Sequence, residues 1–276
     1  MDVTEQKSGF LGSLNEQQSE ALDELKERMK ESKFAETIKN HPQGDCYLLR
    51  FLRATMKNKT SKRVFRVEDA EKRLLKVLEW KESNQIQEPP EKLDVFRKVY
   101  PNYHWVDSKA GTLVWINRLG EAFNNMKPEH LTREMWGHCV GHEMEMAEEE
   151  LRSTVEPGQE FRGYVSVADC KGIGLGALTR LSLISFISDT AGYNYPEVVG
   201  KIVLVNTPWI FPKLFAAFKP FIDKDTLSKF QIHSDIPLEF FRNEFDLDKL
   251  PVEYGGNNEM TVPYPLDSKK YTPGQD

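Results

Sequence analysis

IVLVNTPWIFPKLFAAFKPFI, residues 202–222, joins an apolar run, Ile202 to Val205, to a proline-bracketed helical segment, Pro208 to Ile222. The run is continuous rather than alternating, as expected for a strand covered on both faces. Pro212 belongs in a first helical turn, where a missing N–H costs nothing, and Pro220 belongs near the helix stop. A 3.6-residue wheel puts Phe211, Leu214, Phe215 and Phe218 on one face, with Lys213 and Ala216 opposite and Trp209 beside them. An indole, a small residue and a cation suit a membrane interface. An ordinary buried crossover helix has the same periodicity, so this segment alone leaves both readings open.

Working outward, further apolar runs occur at Leu113 to Ile116 and Tyr164 to Ala168, with a weaker one at Phe230 to Ile232. The segments between them are long enough for crossover helices, which predicts an α/β fold with a mainly parallel sheet. Sheets of that kind often bind ligands near the carboxyl ends of their strands. Upstream of Tyr100-Pro101 the pattern is helical. Ser13 with Glu16 forms a capping-box pattern before Leu22, Leu25 and Met29. A second helix begins near Gly44-Asp45, and a third, Val67 to Glu82, turns Ala70, Leu74, Val77 and Leu78 inward. Thr55 to Arg66 reads as a basic, turn-like connection. The chain thus divides into a flexible N-terminus (1–13), a helical module (14–90), an α/β domain (91–256) and a loosely attached tail (257–276).

The length of 276 residues allows a substantial core, and a net charge of -6 disfavours a phosphate-backbone binder, so nucleic acid is not an expected partner. Cys46, Cys139 and Cys170 are scattered and form no CxxC, which points to a reducing compartment rather than a disulfide framework or a zinc site. No signal-peptide or membrane-spanning run is present in this sequence, and Asp2 stands where myristoylation needs glycine. The glycine-rich turn Asp169 to Ala177 invites a dinucleotide reading, but tight strand-to-helix packing explains it better. His138 and His142, near Glu143 and Glu145, have chelating spacing without HExxH; a partly exposed helix face is the plainer account. Glu148-Glu149-Glu150 reads as a solvated helix end. No GxSxG elbow, Walker lysine or nucleophile constellation appears, so a non-enzyme with no cofactor and no metal is expected. Glu197, ending Tyr195-Pro196-Glu197, and Lys229 read singly as surface residues; together they would suit a phosphate and a hydroxylated headgroup.

From about Leu14 to Gly256 the chain resembles the CRAL-TRIO family. Tyr47 to Ala54 looks like its N-terminal module. Tyr100-Pro101, Asp169 to Gly172, Tyr195-Pro196-Glu197, Gly200-Lys201, Asn206-Thr207-Pro208, Phe218 to Phe221 and Leu250 to Gly256 look like the ordered landmarks of its lipid-binding domain. Within the family it is similar to the yeast-type phosphatidylinositol/phosphatidylcholine transfer proteins.

That resemblance implies a phospholipid ligand, phosphatidylinositol foremost, and a monomer working transiently at membrane surfaces in the cytoplasm. A carrier of tocopherol-, retinoid- or sterol-like molecules, or a sensor presenting phosphatidylinositol to a phosphoinositide kinase, are the rival expectations. It implies that Glu197, Thr226 and Lys229 read the headgroup, with Lys229 neutralising the phosphate. The basic pair expected after Ala54 is displaced by an insertion around Lys57 to Lys62; Arg63 matches one member and Val64 occupies the neighbouring position. Tyr103 and Ser166 match contacts to a choline lipid, while Trp115 and Tyr164 replace a tyrosine and a serine. Trp209, Phe211, Leu214, Phe215, Phe218, Phe221 and Ile222 would belong to a mobile gate helix.

Overall fold

The computed structural model describes residues 9–58, 63–126, 131–156, 159–160, 163–222 and 224–260. Parts of the expected N-terminus (1–8), insertion (59–62) and tail (261–276) lie outside the described residues, as do the side chains of Arg63 and Phe221. The chain forms two compact units. One comprises Met1–Glu88, Gly141–Arg162 and Asp189–Val198, and the other Pro89–Val140, Gly163–Ser188 and Val199–Asp276.

The first unit is built on α1 (Glu16–Lys30), α2 (Ala35–Lys39), α3 (Asp45–Ala54) and α4 (Val67–Ser83). Leu22, Leu25, Met29, Leu49, Phe51, Leu52, Ala70, Leu74 and Val77 form its core, as the helical spacing dictates. The cap of α1 differs from the sequence reading. Asn15 accepts from the Gln18 N–H and the Gln18 side chain returns a bond to Asn15, so the box lies two residues downstream of Ser13. Ser13 instead donates to the Phe10 carbonyl. The expected turn after Ala54 contains two short antiparallel strands, β1 (Lys57–Asn58) and β2 (Arg63–Val64).

In the second unit α5 (Leu93–Val99) precedes β3 (Asn102–Asp107), β4 (Thr112–Asn117), α6 (Leu119–Asn125) and α7 (Arg133–Ser153), whose last turns belong to the first unit. Then come β5 (Tyr164–Asp169), a 3₁₀ turn at Leu175–Arg180, α8 (Leu181–Asn194), whose end also lies in the first unit, and β6 (Val199–Val205). The chain continues through α9 (Phe211–Phe218), a 3₁₀ turn at Lys219–Phe221, α10 (Lys224–Leu227), β7 (Phe230–Ile232) and α11 (Leu238–Glu244). The sheet order is β3-β4-β5-β6-β7, parallel except for the β3–β4 hairpin. The edge strand β3 escaped the sequence reading because Asn102-Tyr103-His104 carries no apolar run.

Alternation divides the sheet into two faces. Val114, Ile116, Val165, Val167, Val203 and Val205 pack with Trp105 against Phe241, Phe245, Leu250 and Tyr254. On the other face Ala168 and Leu204 meet Phe123, Ile173, Ala177, Phe211 and Leu214. Asp169 pins the glycine-rich turn: its carboxylate accepts from the Lys171 N–H, the Asn206 amide and the Tyr254 hydroxyl, each at 2.9 Å.

Candidate functional site

In the second unit β6 ends at Val205 and Asn206 takes φ +51°, a left-handed conformation that asparagine tolerates. Thr207 then donates its N–H and hydroxyl to the His233 carbonyl, which fixes the departure of the chain after β6. α9 begins with Pro212 in its first turn. Its inner face is Phe211 and Leu214, 8% and 1% exposed, with Phe215 and Phe218 packed partly against the same cluster. Phe215 meets Phe230 at 5.5 Å and Phe218 meets Phe123 at 6.1 Å. Ile222 is half-buried just beyond. Lys213 and Ala216 are exposed, and Trp209 is 86% exposed. The segment is therefore two-faced: an apolar cover over the sheet with an indole held out to solvent.

The sheet face under α9 changes character along one register row. His104, Trp115, Ser166, Ile202 and Phe230 are successive cross-strand partners from β3 to β7. The β6–β7 end of the row is apolar. At the other end Trp115 lies 5.4 Å from Tyr164 and 5.3 Å from His104, and Asn117 donates to the Ser166 hydroxyl at 3.4 Å. Trp115 Nε1 donates to Asn102 Oδ1 at 3.1 Å. Burial, reinforced by Tyr100, pushes the Tyr164 phenol up and keeps it protonated. The sequence-predicted set of Tyr103, Trp115, Tyr164 and Ser166 is thus divided. The last three share this face, whereas Tyr103 packs on the opposite face and stacks on Trp105 at 5.2 Å. His104, one residue on, is the ring that β3 presents here. The signal was its strand parity, visible only once β3 is identified.

Thr226 lies in α10, and its carbonyl accepts from the Lys229 N–H at 3.0 Å, so one turn brings the two together. The half-buried Lys229 ammonium donates to the Val199 carbonyl at 2.6 Å. That bond uses one of the three donors of the ammonium and leaves two that could meet an anion. Val199 opens β6 and Lys229 immediately precedes β7, which puts this cation at the amino ends of the parallel strands.

Glu197 belongs to the first unit. It adopts φ +59°, an uncommon conformation for a residue with a Cβ. Arg53 Nε donates to its Oε2 at 2.5 Å, and Arg50 Nε donates to the neighbouring Pro196 carbonyl at 2.9 Å. Tyr195, fully buried, donates to the Gly141 carbonyl and to Glu145. Sequence reading missed both arginines as functional candidates. The signal was present in Tyr47-Leu-Leu-Arg-Phe-Leu-Arg-Ala, since arginines three apart inside an apolar helix must be buried and therefore paired. Arg63 Cα pairs with Asn58 across the short hairpin.

Two expectations about α7 are overturned. Glu148 is not solvated: it is 1% exposed and paired with Arg50 and Lys81. Burial, the largest single influence, pushes its carboxyl up, but the joint field of Arg50, Lys81 and Arg152 prevails and holds it at about 2. His142, Glu143 and Glu145 are likewise buried, whereas His138 on the same helix is partly exposed as expected. His142 Nδ1 lies 3.0 Å from the Ile86 carbonyl, and Glu145 pairs with Lys81 and Arg152. Among the described residues no group of three acidic, His or Cys side chains is placed to hold a metal.

Residues 99–256 match the CRAL/TRIO domain family. The chain is 30% identical over 277 aligned positions to a CRAL-TRIO domain-containing protein of Saccharomyces cerevisiae, covering 92% of this chain and 83% of that one. It is 26% identical over 268 positions to the SEC14 cytosolic factor of Eremothecium gossypii, covering 92% of this chain and 81% of that protein. The crystal structure of Sfh5 superposes with a TM-score of 0.61 at 16% identity, over 80% of this chain and 82% of that one, a likeness of fold. An amphipathic helix laid on a mainly parallel sheet, the ordered motifs and these matches lead to one assignment: the chain belongs to the CRAL/TRIO domain family and is similar to the yeast SEC14 cytosolic factors.

Proposed function

We propose that this protein binds a phospholipid beneath α9 and transfers it between membranes, with phosphatidylinositol the preferred ligand and a second lipid in exchange. The observation that carries the reading is the two-faced α9, which seals apolar sheet surface with Phe211 and Leu214 while Trp209 stands 86% exposed. Burying acyl chains is worth ~0.8 kcal/mol per CH₂, so a carrier must keep them covered between membranes and uncover them at one. Displacement of α9 would expose Ala168, Leu204 and the aromatic row, a surface on which chains can lie. The exposed indole and Lys213 suit the headgroup layer where that displacement would occur.

In this reading the Lys229 ammonium meets the lipid phosphate and Thr226 donates to it, while the family resemblance assigns headgroup hydroxyls to Glu197 of the first unit. Trp115 and Tyr164, with Ser166, offer ring faces and a hydroxyl to a choline headgroup. Transfer requires no covalent step, so the proposal is a non-enzymatic monomer. A cytoplasmic site of action follows the relatives named cytosolic factors. Among the described residues no helix is long and apolar enough to cross a membrane. A phosphoinositide kinase receiving the presented lipid belongs to the same proposal. The test is Lys229→Ala in a vesicle-to-vesicle assay with labelled phosphatidylinositol. Transfer should fall at least about tenfold, the loss of one charge-assisted contact, with the melting temperature retained. Unchanged transfer removes Lys229 from the site.

A further inference from the structure

We infer that Arg53 is a positioning residue for headgroup selection, acting through Glu197, and that residues Gly9 to Leu11 are part of the same device. The inference rests on the reading that Glu197 serves the headgroup; its geometry lies wholly within the first unit. The Arg53 side chain is 4% exposed, a position a guanidinium occupies only when its donors are matched. Its Nε holds Glu197 at 2.5 Å, and its Nη1 reaches Glu160 at 2.9 Å and the Gly9 carbonyl at 3.0 Å. The Phe10 ring lies 4.1 Å from the guanidinium carbon, and the Leu11 N–H donates to the same Glu160 carboxylate.

Three consequences follow from this arrangement. First, the Glu197 carboxylate cannot swing freely, because one oxygen is fixed by Arg53 and its backbone is held at φ +59° beside a Pro196 carbonyl bound by Arg50. A strained backbone persists where surrounding contacts over-determine it, and such sites concentrate at functional positions. Second, the Glu197 side chain remains 32% exposed, so it stays open to an outside donor although one oxygen is held by Arg53. Third, one guanidinium between two carboxylates leaves the cluster with a net negative charge. That favours a hydroxyl-bearing, donor-rich headgroup and disfavours bare phosphate. Fixed acceptor geometry is what distinguishes a polyol from a headgroup without donors. The N-terminal segment completes the cage around Arg53, so its docking bears on Glu197 through one side chain.

The experiment is a double-mutant cycle in the full chain, read by transfer of labelled phosphatidylinositol between vesicles and by melting temperature. Glu197→Gln and Arg53→Lys should each lower transfer by roughly fivefold; lysine keeps the charge but loses the fork. In the Glu197→Gln background Arg53→Lys should add almost nothing, since its effect passes through a carboxylate no longer present. Phe10→Ala should lower transfer about twofold in the native background and not at all beside Glu197→Gln. Independent losses in both backgrounds would mean that Arg53 merely supports the fold, and would overturn the inference. If Arg53→Lys does not fold, the Phe10→Ala arm decides alone by the same criterion. Full transfer by Glu197→Gln together with loss in Lys229→Ala also overturns it, and leaves the lipid-transfer reading standing. Full transfer by both variants removes the headgroup site itself.

Discussion

Trp115 and Tyr164 stand 5.4 Å apart across neighbouring parallel strands, on the sheet face that α9 covers, whereas Tyr103 stacks on Trp105 behind that sheet. A quaternary ammonium is drawn to an aromatic face by about 0.5–2 kcal/mol. Trp115→Ala should therefore weaken transfer of labelled phosphatidylcholine by roughly threefold to thirtyfold. Tyr103→Ala should leave that transfer near the native level, its effect confined to stability. Equal losses from both substitutions would contradict the division of the two rings between faces.

The two sides of α9 make separable predictions. Leu214 is 1% exposed, so Leu214→Ala should cost about 2–5 kcal/mol of stability in chemical denaturation. Trp209→Ala removes a side chain that touches little, and stability should change by no more than about 0.5 kcal/mol. Its loss should appear instead in co-flotation with vesicles containing anionic lipid, where an interfacial indole contributes to attachment. Native flotation by Trp209→Ala would show that this indole does not meet the membrane.

The α/β class, the parallel strands and both faces of α9 were legible because each depends on local pattern: continuous apolar runs, proline position and helical periodicity. β3 was not, because an edge strand in a hairpin needs no apolar run, and without it the parity of Tyr103 and His104 could not be assigned. Glu148 shows a different limit. A run of three glutamates is indistinguishable in sequence from a solvated helix end, and it is the distant partners Arg50, 98 positions away, and Lys81 that make burial of its first carboxylate tenable. Glu197 and Lys229 were legible as candidates through resemblance to a family. That Arg53 holds one and the Val199 carbonyl the other is information about distant contacts, carried by no local pattern.

Close backbone approach at the α6 turn gives a third prediction. A Cβ added at Gly120 would lie 1.9 Å from the Lys171 carbonyl oxygen, in the glycine-rich turn anchored by Asp169. Backbone cannot move aside as a flexible side chain does, so Gly120→Ala should destabilise the protein by about 1–3 kcal/mol despite alanine's higher helix propensity. Gly176, whose added Cβ meets nothing within 4 Å, supplies the control, and Gly176→Ala should be nearly neutral. Matched denaturation curves for the two variants would refute the close approach.

The acid response of the protein should come in two windows set by His41 and Glu148. His41 stacks on Tyr47 at 3.7 Å, and burial, aided by the Arg152 charge, lowers its pKa from 6.5 to about 3. Between those values the unfolded chain binds a proton that the folded imidazole refuses. Stability is therefore fully present above pH 6.5 and declines as pH falls toward 3. Glu148, held at about 2 against an ordinary 4.5, has the same sign, since its ion pairs stabilise the fold above 4.5 and are lost as pH falls through 2. Between pH 6.5 and 4.5 only the first of these two groups titrates. His41→Asn should flatten the stability curve in that upper window, while the steeper decline below 4.5 remains. Denaturation midpoints measured at successive pH values check it, and parallel curves for variant and native protein would show that His41 is not the group responsible.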